Sequence, residues 1–242
     1  MRKIIGSCNH IAQYDLREFK GRIFFVTDVH GYYGLLHEAL RDVAFNSETD
    51  LLFSSGDWTD RGPDSKHVLD YLHEPWIHST RGNHEEIFIG AVDENWTGRN
   101  TNCLLSNGGV WVASLEEDEI QAIYDMFKSL PLGIELLLPR GRKVGIVHAE
   151  VPGYDWGYFV NDIDQQELAM NGQVTAQWAR SWYDRGYKEQ IGGVDFVLVG
   201  HTPTDTGEVE QHGNMVFCDG GSFFRNKINL IEINDEFLRS IK

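Results

Sequence analysis

Five short clusters of carboxylate, imidazole and amide side chains follow one another along this chain. The clusters are Asp28-Val29-His30, residues 56–62, residues 82–85, His148 and Gly200-His201-Thr202. Asp28 and His30 are two residues apart, so on an extended segment both side chains point the same way and can bind one cation. The Asp57 carboxylate has two oxygens and can bridge two cations about 3.5–4 Å apart. Together the clusters hold the residue types needed for a two-metal site that hydrolyses phosphate esters.

The later clusters can supply the remaining ligands of a second cation. Asn83 offers an amide oxygen, and His148 and His201 offer imidazole nitrogens. A set of oxygen and nitrogen ligands without thiolate suits Mn²⁺, Fe or Zn²⁺ better than Ca²⁺. Residue types alone do not choose among these three metals.

The same clusters contain a candidate proton donor and candidate phosphate-binding groups. His84 directly follows a candidate ligand, and Asp60 could hold its imidazole in the protonated form. Alternatively, Asp60 pairs with Arg61 or caps the segment that begins at Pro63. Arg61 can present a planar fork to phosphate oxygens, and Arg180 could approach from the opposite side. Either arginine could instead be a solvated surface charge.

Each cluster follows a short, apolar, β-rich segment. The five segments are residues 22–27, 50–55, 76–80, 143–147 and 194–199. Helix-like segments at 34–44, 64–72 and 85–91 lie between the first few, which gives the β-α-β alternation of a wound α/β sheet. Because sites in such sheets collect at the carboxyl ends of strands, the sequence predicts an α/β fold with the clusters at one edge.

The last third of the chain has a different pattern. Residues 174–185 are predicted to form one helix, in which Trp178 and Trp182 have helical spacing and belong to the core. A second sheet packed on the first is indicated by three strand-like segments, at 208–212, 215–218 and 227–233. Residues 153–164, rich in Tyr, Trp and Asp, are predicted to form a surface loop at the rim of the site.

Composition limits the partners and the compartment. Lys and Arg total 21 against 37 Asp and Glu, a formal net charge of −16, which argues against nucleic acid as the main partner. The length of 242 residues favours a single domain over residues 1–242. Cys8, Cys103 and Cys218 are few and far apart, which predicts no disulfide framework and favours a reducing cytoplasm. No apolar run reaches the length of about 18 residues that a membrane span needs, so no membrane partner is predicted.

Two of the clusters form a recognisable pair. Residues 57–62, Asp-Trp-Thr-Asp-Arg-Gly, followed by residues 82–85, Gly-Asn-His-Glu, resemble the signature of the metal-dependent phosphoprotein phosphatases. This family lies in the calcineurin-like metallophosphoesterase superfamily, and the likeness is greatest to its lambda bacteriophage and bacterial serine/threonine phosphatase branch. The likeness extends over residues 21–233, and it implies a β-sandwich with helices on both outer faces and a dinuclear metal site at strand ends.

The resemblance also implies a role for each candidate residue. It implies two divalent metal ions, Mn²⁺ ahead of Fe or Zn²⁺, and a metal-bridging water that attacks phosphorus. The implied ligands are Asp28, His30 and Asp57 for one metal, and Asp57, Asn83, His148 and His201 for the other. The other implied roles are general acid for His84, its orienting partner for Asp60, and phosphate clamps for Arg61 and Arg180.

Two positions distinguish this chain from its wider group. Pro203 follows Thr202, where related nucleases and cyclic-nucleotide diesterases have the second His of Gly-His-x-His. Thr27 stands where the family has Gly, and we expect its side chain to crowd the approach to Asp28.

Three functions follow from the resemblance. The first is hydrolysis of phosphoserine and phosphothreonine in proteins, with phosphotyrosine left open. The second is hydrolysis of dinucleoside polyphosphates, although those enzymes tend to have Gly-Asn-His-Asp where this chain has Glu85. The third is an inactive phosphoprotein-binding module, which the complete set of ligands, acid and clamps argues against. The sequence leaves the oligomeric state unknown.

Overall fold

A computed structural model describes residues 2–5 and 10–240, and for residues 2–5 it describes the backbone alone. Cys8 lies outside these residues, whereas Cys103 and Cys218 are both free thiols. The strands are β1 (Arg2–Ile5), β2 (Ile11–Asp15), β3 (Ile23–Val26), β4 (Leu51–Ser54), β5 (Ile77–Ser79), β6 (Gly133–Leu137), β7 (Lys143–Val147), β8 (Phe196–Val199), β9 (Glu210–His212), β10 (Met215–Phe217) and β11 (Ile231–Glu232).

Most helices are short. The α-helices are α1 (Tyr33–Asp42), α2 (Val68–Leu72), α3 (Asn83–Asp93), α4 (Arg99–Ser106), α5 (Glu117–Ser129), α6 (Gln165–Glu167), α7 (Gln173–Trp178), α8 (Ser181–Asp184), α9 (Ser222–Arg225) and α10 (Phe237–Ser240). Turns of 3₁₀ helix span Ser65–His67, Gly109–Ser114, Pro139–Gly141 and Pro152–Tyr154, and π-helical turns span Tyr158–Asp162 and Leu168–Gly172.

The strands form two sheets. The larger has the order β1-β2-β6-β7-β8-β10-β9, and the smaller has the order β11-β3-β4-β5. Strands β3, β4 and β5 are parallel neighbours in the smaller sheet, and β7 and β8 are parallel neighbours in the larger. Because parallel neighbours end at the same edge, these pairings place the predicted clusters side by side within each sheet.

The two sheets pack face to face through alternate residues of their strands. In β3, Phe25 lies between the sheets, whereas its neighbour Phe24 contacts the outer helices. In β4, Phe53 likewise lies between the sheets, whereas Leu52 contacts the outer helices. Leu198 of β8 contributes to the shared core from the larger sheet. The period of two along each strand therefore builds a sandwich with apolar residues on both faces of each sheet.

Helices cover both outer faces of this sandwich. On the smaller sheet, Leu36, Phe88 and Phe127 come from α1, α3 and α5 and form a buried cluster with the outer face of the strands. On the larger sheet, Trp156 and Trp182 belong to the covering layer. This architecture confirms the implied β-sandwich with helices on both outer faces.

The sequence pattern did not assign the five cluster-bearing strands to particular sheets, and the structure divides them between two. Strands β3 to β5 lie in the smaller sheet, whereas β7 and β8 lie in the larger. The three late strands also divide, because β9 and β10 join β8 while β11 pairs with β3. Local patterns predict that a segment is a strand, but non-local packing decides its neighbour.

Residues 174–185 form two short helices, α7 and α8, instead of one. Ala179 lies between them with an extended backbone (ψ 143°). The Trp178 carbonyl accepts a hydrogen bond from His201 Nε2 at 3.1 Å. Trp182 is buried as predicted, but Trp178 is 41% exposed, so its assignment to the core was wrong.

Residues 153–164 do not form the predicted surface loop. Trp156, Phe159 and Val160 are buried against the larger sheet. The Trp156 Nε1 donates to Glu135 Oε2 at 2.9 Å. Polar residues such as Asp162 face solvent, and they obscured the apolar side of this segment in the sequence pattern.

Candidate active site

Sharp backbone turns bring the predicted site residues together. Twelve described non-glycine residues have positive φ, and six of these are predicted site residues, namely Asp28, His30, Asp57, Asp60, Arg61 and His201. Such angles are uncommon for residues with a side chain, and they concentrate at functional sites where the surrounding structure holds them. The chain therefore turns abruptly after β3, β4 and β8.

His30 and Asp57 form the first half of the site with Asp28. The His30 Nδ1 donates to the Thr59 carbonyl at 2.8 Å, which leaves the lone pair of Nε2 facing the carboxylates. His30 Nε2 lies 3.6 Å from Asp57 Oδ2 and 4.0 Å from Asp28 Oδ1. Burial lowers the pKa of His30 well below its usual value, which favours the neutral form that binds metals.

His148 and Asn83 lie on the other side of Asp57. The His148 Nδ1 donates to the Ser55 carbonyl at 2.9 Å. Its Nε2 faces Asn83 Oδ1 at 2.9 Å and Asp57 Oδ1 at 3.4 Å. Burial by itself lowers the pKa of His148, but the carboxylates of Asp57, Asp28 and Glu85 together outweigh burial and raise this pKa to about 9.

His201 completes the second half of the site. Its Nε2 donates to the Trp178 carbonyl, and its Nδ1 faces Asn83 Oδ1 at 2.9 Å. Burial, followed by the charge of His148, lowers the pKa of His201 to about 2. Its backbone N–H donates to both oxygens of Asp28, at 3.1 and 3.0 Å, and so connects β8 to the first half.

The chemistry of this donor set fits two divalent cations. Backbone carbonyls fix the tautomers of His30, His148 and His201 so that the second ring nitrogen of each faces the site, as in many metal centres. In two groups of three residues, the potential ligand atoms all lie within 4.8 Å of one another. The first group is His30, Asp57 and His84, and the second is Asp57, His148 and His201. The Asp57 carboxylate belongs to both groups and presents a different oxygen to each. Asp28 and Asp57 are buried, and a cation compensates such charge.

His84 lies within reach of a metal but has the environment of a proton donor. Its Nδ1 donates to Asp60 Oδ2 at 2.7 Å, and Asp60 Oδ1 accepts from Trp111 Nε1 at 2.7 Å. Burial lowers the pKa of His84, but the charges of Asp57 and Asp60 outweigh burial and raise it. His84 Nε2 faces the site, 3.8 Å from Asp57 Oδ2.

Glu85 connects two of the clusters through backbone hydrogen bonds. Its carboxylate accepts from the backbone N–H groups of Asp57, Trp58 and Gly82 at 2.9, 2.8 and 2.8 Å. Burial, followed by the charge of Asp57, raises its pKa to about 7. The sequence analysis assigned no role to Glu85. Its position three residues after Gly82, at the start of α3, is the capping-box spacing that could have indicated this contact.

The two candidate clamps differ in how they are held. Arg61 Nη1 donates to His30 Nε2 at 3.0 Å. Arg180 lies at the break between α7 and α8, is exposed, and has a charge that contributes to the lowered pKa of His201. Neither guanidinium forms an ion pair with any residue that the structure describes. Among the described residues, no carboxylate therefore competes with a ligand for either guanidinium.

Thr27 lies directly beside the Asp28 carboxylate, as expected. Its hydroxyl forms short hydrogen bonds with Asp28 Oδ2 and Ser55 Oγ. A Cβ at Gly200 would lie 2.0 Å from both Asp28 Oδ2 and Thr27 Oγ1, so this corner of the site has no spare volume. Thr27 thus binds the carboxylate that it was expected to crowd.

The sequence analysis missed two further supporting residues besides Glu85. Trp111, between α4 and α5, holds Asp60, and Ser222 Oγ donates to the Asp28 carbonyl at 2.6 Å. Neither has a local sequence signal, because each reaches the site from a distant part of the chain.

Comparison with known proteins identifies a matching family and several relatives of this chain. The calcineurin-like phosphoesterase family model matches residues 21–231. The chain is 32% identical over 223 residues to serine/threonine-protein phosphatase 2 of Escherichia coli (strain K12), which covers 87% of this chain and 92% of that protein. It is 30% identical over 135 residues to the symmetrical bis(5'-nucleosyl)-tetraphosphatase of Erwinia tasmaniensis, which covers 54% of this chain and 46% of that enzyme.

Solved structures share the fold. A cold-active protein-tyrosine phosphatase of a psychrophilic Shewanella superposes with a TM-score of 0.60 at 17% identity, covering 92% of this chain and 77% of that one. At this identity the similarity is evidence for the fold alone. None of the described helices is long and apolar enough to cross a membrane.

Proposed function

The chain belongs to the calcineurin-like phosphoesterase family, and we propose that it is a metal-dependent protein phosphatase that hydrolyses phosphoserine and phosphothreonine monoesters. The observation that carries the proposal is the buried His84–Asp60 pair, with its 2.7 Å hydrogen bond, beside a ligand cluster that Asp57 divides into two halves. The similarity to a bacterial serine/threonine-protein phosphatase over nearly its whole length supports the substrate class. Its partners are then phosphorylated proteins, and phosphotyrosine is a further candidate substrate.

We assign two divalent cations to the two halves of the site, Mn²⁺ first, with Fe and Zn²⁺ as alternatives. The ligands would be Asp28, His30 and Asp57 on one side, and Asp57, Asn83, His148 and His201 on the other. When bound, such cations lower the pKa of a water molecule toward neutrality and neutralise phosphate oxygens.

His84 supplies the proton for the leaving group in this proposal. Asp60 accepts from Nδ1, so the transferable proton is carried on Nε2, which faces the site. The raised pKa favours the protonated imidazole before reaction. A serine or threonine alkoxide is a strong base and needs that proton to depart.

Arg61 and Arg180 bind the phosphate oxygens in this proposal. A guanidinium offers parallel N–H donors whose geometry matches two oxygens of one phosphate. The acidic character of the chain, with a net charge of −16, makes these two local positive charges necessary for attracting a phosphorylated substrate.

The same net charge argues against nucleic acid as a partner. The free thiols of Cys103 and Cys218 support a cytoplasmic location.

The proposed proton donor can be tested by changing the leaving group. His84→Asn should lose roughly 10²–10⁴-fold in kcat on a phosphoserine peptide. On p-nitrophenyl phosphate the loss should be much smaller, because nitrophenolate departs without a proton. His67→Asn, at an exposed histidine of the 3₁₀ turn before α2, is the matched control and should change neither rate. Equal losses on the two substrates at full metal content would show that His84 is not the acid.

The substrate class requires a direct comparison. One purified sample should be assayed on a panel of phosphoserine, phosphothreonine and phosphotyrosine peptides and on diadenosine tetraphosphate. We expect higher kcat/KM on the peptides. A preference for diadenosine tetraphosphate would favour the dinucleoside polyphosphate hydrolase, which the partial match to a tetraphosphatase supports. Binding of phosphopeptides without turnover in the presence of Mn²⁺ would favour an inactive binding module.

A further inference from the structure

Phe223 lies against the guanidinium of Arg61. The Arg61 Cζ is 4.1 Å from the centroid of the Phe223 ring, which is the geometry of a cation–π contact. The same ring meets the His30 imidazole edge to face, with centroids 5.8 Å apart. We propose that Phe223 is a positioning residue that holds Arg61 in place to bind phosphate. This inference rests on the proposed role of Arg61 as a phosphate clamp.

A stacked ring can hold an arginine without occupying its hydrogen-bond donors. Within the described chain Arg61 has no carboxylate at ion-pair distance, and its one hydrogen bond goes from Nη1 to His30 Nε2. A carboxylate partner would accept from the same N–H groups that a phosphate needs. The Phe223 ring instead lies 4.1 Å from the guanidinium Cζ and offers no oxygen acceptor to its N–H groups, so these donors are left for the substrate.

The contact with Phe223 becomes more important when His30 binds a cation. The Nδ1 of His30 is committed to the Thr59 carbonyl, so Arg61 Nη1 and a cation compete for the single lone pair on Nε2. A cation held by His30 would displace the Arg61 N–H from this lone pair. The contact with Phe223 would remain and would restrain the guanidinium.

The helix that carries Phe223 is fixed to the site on both sides. Ser222 Oγ donates to the Asp28 carbonyl at 2.6 Å. Arg225 donates to the carbonyls of Thr204 and Asp205 at 2.9 and 3.0 Å. These bonds hold α9 against the segments that follow β3 and β8, so the Phe223 ring has a defined position relative to the metal ligands.

The backbone of Arg61 is also restrained. It has a positive φ of 66°, and a Cβ at Gly108 would lie 2.5 Å from the Arg61 nitrogen, so another segment packs closely on this turn. With both backbones held, the freedom that remains is in the long Arg61 side chain, and Phe223 limits it. Phe223 itself is 39% exposed, so its ring lies at the surface of the site beside Arg61.

The chain offers a matched control in Phe224. It lies in the same helix, is 51% exposed, and stacks on Arg225 with Cζ 4.6 Å from its ring centroid. Replacing Phe224 removes an exposed phenylalanine and a cation–π contact from the same helix. The Phe224 ring meets Phe223 edge to face with centroids 4.8 Å apart, so this variant removes a neighbour of Phe223 while keeping the Phe223–Arg61 pair.

A double-mutant cycle tests the inference. The measurements are the inhibition constant of inorganic phosphate, KM and kcat on p-nitrophenyl phosphate, metal content and Tm, for Phe223→Leu, Arg61→Ala and the double variant. Loss of a cation–π contact should raise the phosphate inhibition constant and KM about 3- to 10-fold in Phe223→Leu, with smaller effects on kcat. In the Arg61→Ala background, Phe223→Leu should have no further effect. Phe223→Tyr keeps an aromatic ring and should retain the wild-type values. Phe224→Leu should also match wild type.

The outcomes separate the inference from the function on which it rests. If Arg61→Ala binds phosphate as well as wild type does, the clamp role of Arg61 is wrong. If Arg61→Ala is impaired but the effects of Phe223→Leu and Arg61→Ala are additive, Phe223 does not act through Arg61. The same conclusion follows if Phe224→Leu is impaired as much as Phe223→Leu. Should Phe223→Leu fail to fold, Phe223→Met, which keeps an apolar side chain without a ring, takes its place in the cycle.

Discussion

Asp57 presents its two carboxylate oxygens to different groups of ligands. Oδ2 lies 3.6 Å from His30 Nε2, and Oδ1 lies 3.4 Å from His148 Nε2. The backbone N–H of His84 also donates to Oδ1 at 3.0 Å, which orients the group. A residue that serves both halves of a dinuclear site should be more sensitive to replacement than a ligand of either half.

We therefore predict that Asp57→Asn removes more activity than Asn substitution of His30 or His201, because it weakens both cation sites at once. Metal content by mass spectrometry should fall toward zero in Asp57→Asn and toward one ion per chain in His30→Asn. Asp64→Asn, at an exposed carboxylate, is the control and should bind metal normally. Two bound ions and normal turnover in Asp57→Asn would exclude the bridging role.

At the scale of elements, the site depends on how closely the strand ends approach each other. After β8, Gly200 donates its N–H to the His148 carbonyl at 2.9 Å, which connects the ends of β7 and β8. The absent side chain of Gly200 lets the Asp28 carboxylate and the Thr27 hydroxyl lie against this backbone. The two sheets meet at the site through such contacts, and a methyl group on Gly200 would lie 2.0 Å from oxygens of both Asp28 and Thr27.

Gly200→Ala should therefore impair both stability and metal binding. The added Cβ would lie 2.0 Å from Asp28 Oδ2, and we expect a loss of about 1–3 kcal/mol in the free energy of unfolding, as for other overpacked sites. Gly34→Ala, in the first turn of α1, is the matched control, because the added Cβ would meet no atom of another segment within 4 Å, and it should not lower the free energy of unfolding. Urea unfolding and metal titration of both variants measure these effects. Equal behaviour of the two would show that the Gly200 corner is not tightly packed.

At the scale of the whole molecule, the two sheets enclose a group of buried acids at their common edge. Asp28, Asp57, Glu85 and Asp219 are each less than 5% exposed. Burial, followed by the charge of Asp28, raises the pKa of Asp219 well above its usual value. This accumulation of negative charge opposes folding until cations or protons compensate it. We propose that residues 1–242 form one domain, so stability and metal binding should be coupled throughout.

Chelation should therefore remove activity and lower Tm, and Mn²⁺ should restore both. Ligands that bind the folded state alone raise stability in proportion to the logarithm of their concentration, so Tm should rise steadily as Mn²⁺ is added above its Kd. Unfolding should remain a single transition if the chain is one domain. In Asp57→Asn the rise in Tm with Mn²⁺ should be lost. Full activity in excess chelator, with no metal bound, would exclude a metal-dependent reaction.

The sequence by itself determined which residues could do the chemistry and which strands precede them. Asp28, Asp57 and His201 each follow a short apolar segment. In a strand, alternate side chains point to opposite faces. Both features depend on residues that are neighbours in the chain. The motif pair at 57–62 and 82–85 also indicated the family, which the comparisons confirmed.

Only the tertiary structure decided how the clusters meet. The division of five strands between two sheets, the break at Ala179, and the contacts that Trp111, Ser222 and Phe223 make with site residues all join segments far apart in sequence. Local propensity cannot report such contacts, because their stability comes from burial and from hydrogen bonds that exist once the two sheets have packed. The sequence thus specified the candidate ligands, whereas packing specified what holds each of them in place.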